Sequence, residues 1–157
     1  MILLKSAALV ALAAAAAPAT AQMVRPQDPQ TLVQALQQGG YAAQLAVDDT
    51  GDPMIRGMVG GTRYQLLFYN CTDHKECATI QFHVGYHLKT PVTLAALNEW
   101  NRSQRFGSAY LDKENDPILE MDVDLDDGGV SQLLFIDNVE FWTSAVQRFE
   151  KSIGYSN

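Results

Sequence analysis

The chain reads as an α+β fold. One antiparallel sheet of about six strands packs against three helices, in the order α-β-β-β-β-α-β-β-α. Three observations carry that reading. Between residues 41 and 86, four runs alternate apolar and polar side chains with a period of two, separated by turn chemistry. Near the C-terminus, Phe135, Val139, Trp142, Val146, Phe149 and Ile153 recur at spacings of 4, 3, 4, 3 and 4, one apolar stripe of a long helix. Helical and extended patterns are segregated, which gathers helices onto an antiparallel sheet as a two-layer sandwich.

Residues 1–21 read as a secretory signal peptide. Lys5 precedes an apolar, Ala-rich run at 6–17, and Ala19-Thr20-Ala21 is a small-x-small cleavage pattern. The run is too short for a stable membrane span, so no membrane insertion is expected after cleavage. Removing it leaves 157 − 21 = 136 residues, enough for one domain with its own core. Lys5 is the only charged residue removed, so the remainder carries 10 Lys+Arg against 18 Asp+Glu, a net −8. That field repels phosphate backbones and anionic headgroups, which argues against nucleic acid and membrane surfaces as partners. It also keeps an exported domain soluble.

Residues 22–30 contain Pro26 and Pro29 and little that is apolar, so they read as a tether to a domain over 31–157. Asp28 or Thr31 can cap a short helix running to about Gln38, with Leu32, Val33 and Leu36 as its stripe and Gly39-Gly40 as its stop. Strands are expected at 41–47, 54–59, 62–69 and 78–86, a meander with short turns. Thr90 and Pro91 mark the start of a second helix ending near Gln104. A hairpin over 109–125 follows, turning at 112–117, and then the long helix over 130–153. DPMIRGMV at Asp52–Val59 and DPILEMDV at Asp116–Val123 echo each other at an offset of 64 residues, as if two hairpins were built alike.

Cys71 and Cys77 are the only cysteines, and an even count in an exported chain reads as one disulfide. The rival is a metal site with His74 between them and Asp73 beside it. Structural zinc wants four ligands, usually at tighter cysteine spacing, and an oxidising compartment removes the thiolates. His83 and His87 are four apart in a strand, about 13 Å along it, too far for one metal.

The segments GDPMIR (51–56), FYNC (68–71), IQFHVGY (80–86), LNEWNRSQRFGSAYLD (97–112) and DPILEMDVDL (116–125) resemble the YbjN-like family of bacterial sensory transduction regulators. The resemblance covers most of 31–153. It implies a fold similar to type III secretion chaperones, a helix–sheet sandwich that often dimerises. It implies no enzyme and brings no catalytic residues. The signal peptide and the cysteine pair point to an exported branch.

Two constellations are candidate sites. Glu120, Asp122 and Asp124, with Asp126 beyond them, project from one side of a strand and need water, a cation or basic neighbours. Arg56, Arg63, Arg102 and Arg105 are the candidates to pair with them. The run is not a calcium loop, since Asp127 stands where glycine is wanted and Leu133 where glutamate is. Trp100, Asn101, Arg102, Arg105 and Phe106 are a candidate recognition patch for a peptide or partner. Their plainer role is core packing for Trp100 and Phe106, a backbone bond for Asn101 and neutralisation of the acidic strand by the arginines. No Gly-x-Ser-x-Gly elbow is present, and Asp112, Glu114 and Asp116 sit in a turn where acids are ordinary.

The expected function is a non-enzymatic periplasmic or secreted module without a cofactor. It binds a protein or peptide, with a homodimer as one form, through a sheet edge or a groove between helix and sheet. The alternatives are a cation-dependent hydrolase or calcium-binding protein using residues 120–126, and a structural envelope component.

Overall fold

The computed structural model describes residues 22–156, so the expected signal peptide at 1–21 lies outside the described residues. Met23–Val24 form β1, which pairs antiparallel with β8, Val130–Ser131. Residues 22–30 are therefore docked rather than a free tether. Val24 is fully buried, and Arg25 Nε donates to the Gly128 carbonyl at 3.2 Å. Val24 and Pro26 are the buried side chains that anchor the arm.

Helix α1 spans Pro29–Gln38. Asp28 is its cap, accepting from the Gln30 N–H at 3.2 Å, and Leu32, Val33 and Leu36 are buried as expected. The four meander strands are β2 (Ala42–Val47), β3 (Pro53–Val59), β4 (Thr62–Tyr69) and β5 (Thr79–Gly85). Helix α2 spans Leu94–Ser103, β6 Ser108–Leu111, β7 Pro117–Asp124, and α3 Gln132–Ile153.

Helix α2 begins later than expected. Thr93, not Thr90, is its cap, accepting from the Ala96 N–H at 3.2 Å, and Leu94 in the first turn is 71% exposed. The chain needs those three extra residues to climb from the end of β5 over the sheet. Helix α3 is capped by Ser131, because Val130–Ser131 is taken up pairing with β1.

The six-stranded sheet has the order β2-β3-β4-β5-β7-β6, all pairs antiparallel. The final hairpin does not simply extend the meander. Strand β7 inserts between β5 and β6, so β5 and β6 are parallel to one another and α2 is the crossover between them. Period-two alternation then decides the two faces. Tyr64, Leu66, Phe68, Ile80, Phe82 and Val84 lie beneath the helices with Leu119 and Met121. The stripe Phe135, Val139, Trp142, Val146 and Phe149 of α3 closes on them, each about fully buried. Trp142 sits at the centre, its ring 5.5 Å from Phe82 and 6.1 Å from Tyr64. Burying one such aromatic contributes roughly 2–3 kcal/mol. Glu150 of α3 accepts from the hydroxyls of Thr62 and Tyr86, tying the start of β4 and the adjacent end of β5 to the helix.

Candidate functional site

All three helices lie on one side, so the opposite face of the sheet is open. Its side chains form transverse rows set by register. One row runs Gln44–Arg56–Gln65–His83–Glu120–Ser108 across all six strands. The neighbouring row includes Ala42, Met58 and Arg63 at one end and Ile118 and Tyr110 at the other. Across β2 to β5 these rows line a concavity of about 750 Å³.

The acidic strand expected over 120–124 is β7, and its carboxylates face this open side. Their partners are not the arginines. Strands β4 and β5 stand between β7 and Arg56 on β3, and β5 stands between β7 and Arg63 on β4. Arg102 pairs with Glu99 at 2.7 Å, and Arg105 lies over the Phe106 ring at 4.9 Å. Neutral and histidine neighbours take their place. Glu120 Oε1 accepts from the Tyr110 hydroxyl at 2.6 Å and lies 3.1 Å from His83 Nδ1. Asp122 accepts from Gln81 Nε2 at 2.9 Å, and Asp124 from the Asp126 N–H at 3.0 Å. The local field is negative. Burial first, then the charges of Glu120 and Asp122, push the Tyr69 hydroxyl pKa up; burial first, then its bond to Glu120, does the same to Tyr110. Among the described residues no three His, Cys, Asp or Glu side chains converge as a metal cluster.

The expected patch at the end of α2 divides. Trp100 is core, 5% exposed, with its ring 5.0 Å from Phe149. Asn101 bonds both backbone groups of Ala109, at 2.8 and 2.9 Å. Phe106 is not core. It is 40% exposed and stacks at 4.2 Å on Phe141 of α3, which is 42% exposed. A backbone φ of 58° at Phe106 turns the chain so that its ring reaches α3.

The two sheet edges differ. On β6 the outward N–H and C=O of Ala109 are closed by Asn101. On β2, Asp48 N donates to Asp52 O at 2.9 Å, so by antiparallel alternation the backbone groups of Ala43, Leu45 and Val47 point outward. The Ala43 carbonyl receives Gln37 Nε2 at 3.0 Å. Leu45 and Val47 are left open, with side chains 42% and 62% exposed beside Pro29, Pro53 and His74. Sequence alternation places Leu45 and Val47 on the core-side face; lying on the edge strand, they are only partly covered.

Cys71 and Cys77 form the disulfide, and Cys77 is fully buried. His74, in the loop they close, lies with Nδ1 2.8 Å from Asp52, so it serves the neighbouring turn rather than a metal. The echoed turns are one structure built twice. Asp48 Oδ1 accepts from the N–H groups of Thr50, Gly51 and Asp52 at 2.9 Å. Asp112 Oδ1 accepts from Glu114 and Asp116 N–H at 2.9 and 2.8 Å. Gly51 and Asn115 both hold positive φ, 101° and 65°. Burial opposes the Asp48 charge, but these bonds and the Thr50 hydroxyl outweigh it and hold the carboxyl below its ordinary pKa. The last acid of each turn meets a histidine, Asp52 with His74 at 2.8 Å and Asp116 with His87 at 3.0 Å. The offset of 64 hinted at these matching turns; the histidine partners come from other loops and left no local signal.

A protein-family model described as "YbjN: Putative bacterial sensory transduction regulator" matches residues 28–154, most of the chain. The chain belongs to the YbjN family. The match begins at the cap of α1 and ends at the C-cap of α3, so it encloses the six-stranded sheet and all three helices of this YbjN protein. No curated protein sequence matches the chain. The family description supports a regulator-like role for the chain.

Proposed function

We propose that this YbjN protein is an exported, non-catalytic regulator that acts by adding a partner strand to the edge of its sheet at β2. The open edge carries the reading. Ala42–Val47 holds no charge and no proline, the two devices that normally guard an edge, and the outward backbone groups of Leu45 and Val47 have no partner among the described residues. The other edge is shielded at Ala109 by Asn101. A second copy of this chain is the occupant that fits best. Two uncharged strands can meet antiparallel without repulsion although each exported chain, without residues 1–21, carries a net charge of −8. Export is supported by the signal-like residues 1–21 and by the closed Cys71–Cys77 pair.

Light scattering on the purified protein at high concentration tests this. The expected mass is that of two chains, falling to one in Leu45→Lys and Val47→Lys, which place charge on the edge at side chains that are already 42% and 62% exposed. A one-chain mass at every concentration, or a dimer unaffected by both substitutions, overturns it.

A further inference from the structure

The open face separates its charges. Carboxylates gather on β7 and are satisfied locally, while Arg56 and Arg63 stand on β3 and β4 at the rim of the concavity. The protein has an excess of acids, and its other arginines all have partners. Arg25 bonds the Gly128 carbonyl, Arg102 pairs with Glu99, Arg105 lies over Phe106, and Arg148 Nε bonds Gln104 at 3.0 Å. Among the described residues Arg56 and Arg63 are the only arginines with no side-chain hydrogen bond, ion pair or ring contact. Arg56 faces Gln65 and Met58 faces Arg63, so the two arginines are diagonal neighbours, with β-carbons about 7 Å apart. One anionic group set between them meets both guanidinium forks.

The surroundings define what the anion is attached to. Ala42 and Met58 line the concavity beside the arginines, and Gly85 leaves it open where a side chain would stand; a β-carbon there would come within 2.8 Å of Ile118 Cδ1. Gln44 and Gln65 add amide groups that can donate or accept. A concave surface of apolar residues with a few convergent polar groups is the usual form of a small-molecule site. Inorganic ions gain nothing from Ala42 and Met58. Larger polyanions meet the carboxylates of β7 two strands away.

We propose that this concavity binds a small organic carboxylate, its charged end between Arg56 and Arg63 and its apolar body over Ala42 and Met58. The site is separate from the outward backbone of β2, so the Leu45→Lys variant retains it and the two proposals fail independently.

The test is titration of the full protein with succinate, hexanoate and inorganic phosphate, read by NMR at the arginine side-chain N–H groups. Succinate or hexanoate should shift Arg56 and Arg63 saturably. Arg56→Gln and Arg63→Gln should each weaken that binding by about tenfold or more, and Arg102→Gln should not. Both arginines are exposed, so the variants keep the fold. Shifts that never saturate, that are equal at every arginine, or that persist in both variants overturn the site. A response to phosphate alone overturns its assignment to a carboxylate.

Discussion

Asn101 and Ala109 are joined as two adjacent strands would be. The amide oxygen of Asn101 accepts the Ala109 N–H at 2.8 Å, and its amide nitrogen donates to the Ala109 carbonyl at 2.9 Å. One side chain from α2 thus supplies a short extra edge to β6 and fixes the helix to the strand it feeds. Asparagine carries a donor and an acceptor at the right separation; neither aspartate nor leucine of the same size does.

Removing that bracket should be costly for a residue outside the hydrophobic core. Asn101→Ala leaves the N–H and C=O of buried Ala109 unpaired, an expected loss of about 2–3 kcal/mol in urea unfolding. Asn101→Asp keeps the acceptor alone and should fall between alanine and the native protein. A loss below about 0.5 kcal/mol for Asn101→Ala would show that solvent replaces the bracket without penalty.

The disulfide closes a ring with a sequence separation of 6, at the loop between β4 and β5. In the loop-entropy account its reduction costs about 2 kcal/mol. Urea unfolding with and without reductant should show that difference, with the fold retained when reduced, because the aromatic core lies in the sheet–helix layer. Unfolding on reduction alone would mean the bond carries the domain.

His87 titrates against Asp116. Its ring is almost wholly exposed, and the hydrogen bond to Asp116, then that carboxylate's charge, raise its pKa above the ordinary 6.5. A histidine raised on folding contributes stability that is complete below its unfolded pKa. That contribution disappears as pH climbs through the folded value, so the window opens near 6.5 and extends upward. The Cε1–H resonance of His87 should titrate later than in Asp116→Asn. Coincident midpoints would remove the interaction.

Much of this architecture is local and therefore legible in the chain. Period-two runs and turn residues marked the six strands of the main sheet to within a residue or two, and the 4-3-4-3-4 stripe marked α3, because burial of one face forces that spacing. The cysteine pair and the matching Asp-Pro turns were equally visible. Start positions were harder where two caps competed, as at Thr90 and Thr93, or where a lone apolar residue such as Val24 found a buried seat.

What the sequence by itself determined is the identity of the three helices and the six strands of the main sheet, the face each buries, and the YbjN membership those segments carry. Only the tertiary structure decided which elements became neighbours. The insertion of β7 between β5 and β6 placed the acidic strand beside His83 and Gln81 rather than Arg56 and Arg63, left those arginines without a partner among the described residues, and kept β2 at an edge. Strand order is set by summed long-range packing of one sheet against three helices, and no short window of residues contains it.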